Sequence, residues 1–163
     1  MTEVDLHIQV IKEKIQAYYY TSPFPHMPQR ITIDIANMVL ILINGFSRKI
    51  RLYKTYIPRT IMKGKQLNSM KSCRIPFGAY AQVNYDRNIT NTMEERRKGT
   101  ICIRTTGNLQ GTYNFLSLRM GRNITCGKFT EISTPGVVFR RVTSMAIAEK
   151  QGGRIIFENR NLV

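Results

Sequence analysis

The sequence predicts an α+β protein: helices first, then a small β-barrel of short strands, then one more helix. Apolar residues in the first third recur at spacings of three and four. From residue 76, short alternating stretches are separated by Gly and Asn turns. Helical spacing returns after Pro135. The chain has 163 residues, 42% of them hydrophobic and 21% charged, a composition that supports a packed core.

The first helix is read from Val4, Ile8, Ile11, Ile15 and Tyr18, which share one face of residues 4–19, while Lys12 and Lys14 fall on others. Pro23, Pro25 and Pro28 break it. Ile31 to Phe46 is apolar nearly throughout and, at 16 residues, too long for an ordinary strand. It reads as a buried helix ended near Gly45. Residues 47–75 read as a basic connector, in which Pro58 to Gly64 forms a helical turn or two, with Pro near its start and Gly after its end.

Strands are expected within Phe77–Tyr85, Gly99–Arg104 and Thr112–Leu118. Turns fall at Thr106-Gly107-Asn108 and Gly121-Arg122-Asn123, and a return strand runs from Ile124 through Phe129 to Ile132. Such short strands fit a small barrel or sandwich. Val138, Val142, Met145, Ala146 and Ala148 mark a last helix within 137–151, stopped by Gly152-Gly153, with a tail beyond.

The charge balance narrows the function. Lys and Arg number 25 against 10 Asp and Glu, a net charge of +15. Such a chain repels itself unless a polyanion or an acidic neighbour compensates, and nucleic acid is the commonest polyanion partner. No stretch approaches the roughly 18–20 apolar residues of a membrane span, and the first residues lack a signal-peptide core. Cys73, Cys102 and Cys126 are odd in number and far apart, as expected of reduced thiols. These features point to an intracellular protein, nuclear or cytoplasmic, with no membrane partner.

Candidate chemistry is sparse. His7 and His26 lie far from every cysteine and no C-x-x-C occurs, so no metal site or cofactor is expected. Gly121 to Phe129 has five residues between its glycines where a phosphate loop needs four, and Phe129 stands where the magnesium-binding hydroxyl belongs. Gly107-Asn108-Leu109-Gln110-Gly111 lacks the dinucleotide pattern and reads as a loop between strands. The carboxylates are too scattered for two-metal phosphoryl transfer.

The connector is the positive signal. From Ile35 to Tyr85 there is no Asp or Glu, while Arg48, Lys49, Arg51, Lys54, Arg59, Lys63, Lys65, Lys71 and Arg74 fall in that run beside Tyr53 and Tyr56. Lysine and arginine neutralise phosphates and release counterions, and tyrosine rings stack on exposed bases. These nine basic residues are the candidate nucleic-acid ligands.

Several segments together resemble the Pol polyprotein of copia-type LTR retrotransposons, in the stretch linking integrase to reverse transcriptase. Pro58-Arg59-Thr60-Ile61-Met62-Lys63-Gly64-Lys65-Gln66-Leu67 is similar to its "SPRTIMTGK-L" segment. Phe77-Gly78-Ala79-Tyr80-Ala81-Gln82-Val83 is similar to "FG-Y-QVHE", and Thr106 to Tyr113 to "GNLQG-Y". Arg119-Met120-Gly121-Arg122-Asn123-Ile124-Thr125 resembles "TGKKIT". These motifs lie in the family's order across about residues 55–150. The first 46 residues match more loosely, chiefly through Val10-Ile11-Lys12-Glu13 and Leu42-Ile43-Asn44.

The resemblance implies a truncated copy with four parts. Residues 1–46 would be the last helices of an RNase H-like integrase core, 47–75 the basic connector, 76–135 an SH3-like β-barrel, and 136–163 a C-terminal helix and tail. It implies a partner in nucleic acid, DNA first, and in other integrase or reverse-transcriptase domains. The third metal-binding carboxylate of integrases would fall on Asp5, one methylene shorter than the family's Glu, and the first two would lie upstream of Met1. No catalytic residue is therefore assigned, and the expected role is non-enzymatic. Ile57 replaces the family's helix-capping Ser, and Cys126 replaces a basic residue.

Overall fold

Two helices, a connector with two short helices, a five-stranded antiparallel sheet and a final helix follow in chain order. The structure is a computed structural model and describes residues 3–46, 57–84 and 95–150. α1 is Glu3–Thr21 and α2 is Gln29–Phe46. The prolines between them end α1, where the Thr21 hydroxyl donates to the carbonyl of Ala17 at 2.8 Å. The backbone N–H of Gln29, an orphan donor at the start of α2, donates to the Glu149 carboxylate at 2.8 Å.

α2 ends at Phe46, beside Gly45 as the sequence predicts, and Gly45 is buried against Leu67 of the connector, which the missing side chain admits. A left-handed glycine stop is Gly64, whose φ is 65° and whose N–H donates to Thr60 at 2.9 Å, ending α3 (Pro58–Lys63). Ile57 gives α3 no side-chain cap. The connector also contains an unexpected single-turn helix, α4 (Ser69–Ser72), capped by Asn68, which accepts from the backbone N–H of Lys71.

The strands are β1 (Tyr80–Asn84), β2 (Arg97–Thr105), β3 (Tyr113–Ser117), β4 (Asn123–Cys126) and β5 (Phe129–Glu131), in spatial order β4-β3-β2-β1-β5. The expected return strand is thus two strands, broken at Gly127-Lys128. β4 pairs with β3, whereas β5 crosses to pair with β1. The expected closure does not occur: a two-residue link sets β4 and β5 in succession along the chain on opposite edges, and the sheet stays open.

The open sheet is nevertheless strongly curled. The Tyr113 and Phe129 rings lie 5.4 Å apart although two strands separate theirs in the sheet order. A flat sheet would hold β3 and β5 about 14 Å apart, three strand spacings. Curling encloses a small core of Ile75, Ala81, Val83, Cys102, Tyr113 and Phe115, with Phe129 and Cys126 packed against it.

The other face of the sheet carries the main core. Tyr19, Ile31, Ile35 and Val39 from α1 and α2 meet Ile101, Ile103 and Leu116 of the sheet and Val138 and Val142 of α5 (Gly136–Ala148). Each of these buried aliphatic side chains contributes about 1.5–3 kcal/mol. The N-terminal helices therefore do not stand as a separate packed unit: their buried face is completed by the sheet and α5. α5 ends at Ala148, ahead of the expected glycine stop, and Lys150 takes a left-handed φ of 55° just beyond it. Gly152 and Gly153 lie outside the described residues. No described helix is long and apolar enough to cross a membrane.

A bulge in β2 positions the key polar link between these layers. Strand alternation puts Arg104 on the same face as Cys102, away from the helices. The β2–β3 register slips between Cys102 and Arg104, which re-aims Arg104 toward α2. There its guanidinium reaches Asp34 at 3.2 Å.

Candidate nucleic-acid interface

The connector is clasped to the loop between β2 and β3. The Arg59 guanidinium donates to the carbonyl of Gly107. The Lys71 ammonium donates to the carbonyl of Leu109 at 3.2 Å. The Tyr113 hydroxyl completes the clasp, donating to the carbonyl of Lys71 and accepting from the N–H of Arg74, both at 2.8 Å. Gly107 and Gly111, with φ of 67° and 70°, make the turn and also leave room for the connector. A Cβ at Gly107 would lie 3.0 Å from the Arg59 guanidinium, and one at Gly111 would lie 3.0 Å from the Lys71 Cβ.

The loop is itself braced. The Asn108 carboxamide accepts from the Thr112 N–H at 3.0 Å and donates to its hydroxyl at 2.7 Å. The Thr106 N–H donates to the Thr112 carbonyl at 3.0 Å. Between this loop and the connector lies a cleft of about 540 Å³, lined by Arg59, Lys63, Lys65, Asn68 and the stretch Thr106–Gln110. No carboxylate lines it among the described residues. Lys63 and Lys65 are exposed, and their ammonium groups make no ion pair among the described residues.

A second cleft, of about 450 Å³, flanks the opposite side of α3 and shares Arg59 and Lys63 with the first. Its walls are Leu40 and Ile41 of α2 and Pro58 and Met62 of α3, with Arg104 at its edge. An apolar wall beside fixed cations suits a ligand with a flat apolar part and an anionic part.

The structure therefore divides the nine basic candidates. Arg59, Lys63 and Lys65 come together in the cleft. Lys71 is committed to the clasp. Arg74 turns away, its guanidinium 4.9 Å over the Phe129 ring. Arg48, Lys49, Arg51 and Lys54 lie outside the described residues, as do Tyr53 and Tyr56. Asp5 is exposed on α1, and no group of three or more His, Cys, Asp or Glu side chains able to hold a metal exists among the described residues.

Sequence reasoning missed the β2–β3 loop as the second wall of the cleft. The signal was present in the paired glycines of Gly107-Asn108-Leu109-Gln110-Gly111, which mark a close backbone approach as well as a turn. Of the thiols, Cys102 is buried beneath the curled sheet, and desolvation, with a smaller effect of Glu131, pushes it up to about 12. It stays a protonated, unreactive core group. Comparison with known protein families, with curated proteins and with solved structures finds no match to this chain.

Proposed function

We propose that the chain is a non-catalytic nucleic-acid-binding module of retrotransposon integrase descent, which grips phosphates through Lys63 and Lys65 at the cleft between connector and β2–β3 loop. The observation that carries this reading is a braced cleft lined, among the described residues, by three basic side chains and no carboxylate, on a chain of net charge +15. The ligand is DNA first, bound without sequence preference, since cations on a cleft rim contact phosphates rather than base edges. A nuclear or cytoplasmic site of action follows from that ligand.

The strand order supports the copia-type resemblance. An antiparallel meander whose fifth strand returns to pair with the first is also the connectivity of SH3-like barrels, here in an open, curled form. On this reading residues 76–135 correspond to the barrel and 1–46 to terminal helices of an integrase core. Salt-sensitive binding of a labelled duplex by the full chain tests the function. Absence of binding at about 50 mM salt, where electrostatic binders are strong, contradicts it.

One observation favours a second reading, an assembly module that contacts other integrase or reverse-transcriptase parts. Val4 and Ile8, one turn apart on the same face of α1, are both exposed. Concentration-dependent association in sedimentation, abolished on replacing Val4 and Ile8 by Ser, would support that reading.

A further inference from the structure

A third cleft, of about 350 Å³, lies on the β1–β5 side of the sheet and shares no lining residue with the connector clefts. Its charges come from three separate parts of the chain: Arg74 after α4, Arg97 at the start of β2, and Lys128 in the β4–β5 link. The strand pairing builds its floor. Gln82 lies directly opposite Thr130, and Asn84 directly opposite Arg97. Directly opposed residues have Cβ atoms about 4.5–5.5 Å apart, so these polar side chains are neighbours on one face. Arg74 is held over Phe129, which alternates with Thr130 to the curled-core face, so it borders the cleft without joining the face of Gln82 and Arg97. Glu131, next to Thr130, alternates to the other face, where its charge acts on Cys102. No carboxylate lines the cleft among the described residues.

Arg97 and Lys128 with amide and hydroxyl donors, and little apolar wall, match a compact oxyanion rather than a base or an apolar ligand. We propose that this cleft binds a phosphate group, with Arg97 and Lys128 as its charge partners and Gln82, Asn84 and Thr130 supplying neutral donors. Its source is a nucleic-acid backbone phosphodiester, a clause that rests on the function proposed above, or a free phosphate. The phosphodiester source gives the protein a second grip, on a sheet edge distinct from the connector, and so a longer nucleic-acid path across the molecule.

The test uses the full chain and an Arg97→Ala, Lys128→Ala double variant, both side chains being exposed, with folding checked by the amide NMR spectrum. Inorganic phosphate is titrated first. The expected result is a saturable shift of the Gly127, Lys128 and Thr130 amides that disappears in the double variant and persists in Lys63→Ala, Lys65→Ala. A labelled duplex is then titrated across a salt series. One fewer neutralised phosphate lowers the slope of log affinity against log salt by about 0.9 in the double variant. Phosphate-induced shifts without any duplex binding would keep the site, assign it to free phosphate, and remove the nucleic-acid reading. Duplex binding by the wild type with an unchanged slope in the double variant, together with absent or unaltered phosphate shifts, would overturn the site and leave the connector reading standing.

Discussion

The Arg59 guanidinium donates to the backbone carbonyl of Gly107, so a side chain that charge alone marks as a phosphate ligand also fastens the connector to the sheet. Lys71 repeats the arrangement at Leu109. A charge engaged by a carbonyl can still attract a phosphate, but its removal costs structure as well as affinity. Arg59→Ala is expected to destabilise the fold by about 1.5–3 kcal/mol, the range for a hydrogen bond with a charged donor. Lys63→Ala should change stability by less than about 0.5 kcal/mol, as at other exposed positions. Urea denaturation of the two variants side by side checks this. Gly107→Ala should resemble Arg59→Ala, since left-handed φ costs a β-carbon about 1–2 kcal/mol and the new methyl group presses on the guanidinium.

The Asp34–Arg104 pair fixes α2 to the sheet. Asp34 is 6% exposed and also accepts from the Asn123 carboxamide at 3.4 Å. Arg104→Ala strands a nearly buried carboxylate and is expected to cost about 2–3 kcal/mol, below the full buried-pair value because the Arg104 side chain is 27% exposed. Asp34→Asn keeps an acceptor for Arg104 and should cost less. Equal losses for the two variants in chemical denaturation would show that the stranded charge is not the cause.

Tyr113 is the hinge pin between connector and sheet. Tyr113→Phe retains the ring packing against Phe115 and Phe129 but removes both 2.8 Å hydrogen bonds of the hydroxyl. The expected loss is about 1–2 kcal/mol. Amide exchange should accelerate at Arg74, whose N–H loses its acceptor, and not in the middle of α2.

Cys102 predicts a loss of stability at alkaline pH. Its folded thiol is pushed up to about 12 from an ordinary 9.0, so the folded state holds the proton more tightly than the unfolded state does. The contribution is complete below pH 9 and is lost as pH rises from 9 towards 12, by up to a factor of ten in the folding equilibrium per pH unit. Burial raises Tyr113 in the same direction. Denaturant midpoints at about pH 9 and about pH 11 should fall less in Cys102→Ala than in the wild type. In native protein a thiol reagent should label the exposed Cys73 first and Cys102 only on unfolding.

The helices were legible because their signal is local. Val4 to Tyr18 and Ile31 to Phe46 carry the three-and-four spacing within themselves, and Pro58 and Gly64 bracket α3 by backbone geometry alone. The strands were legible as segments, but their pairing was not. Nothing near Phe129 in sequence tells that it leaves β4's edge to pair beside Val83. Gly45 was legible as the mark of the end of α2, but its packing against Leu67 was not, because that contact is distant in sequence. The clasp was hidden for the same reason: Arg59 meets a carbonyl, and every residue has one. Arg97 and Lys128 are 31 residues apart and share no local signal; only the strand pairing brings them to one cleft.

The proposed grip of Lys63 and Lys65 on phosphate is tested by a salt series of fluorescence anisotropy on a labelled duplex. The wild type should show a steep linear fall of log affinity with log salt. The folded Lys63→Ala, Lys65→Ala variant should bind more weakly, with a slope smaller by about 0.9 for each phosphate it no longer neutralises. Wild-type binding with an unchanged slope in that variant, or no binding by the wild type at about 50 mM salt, would mean that these two lysines do not hold phosphate.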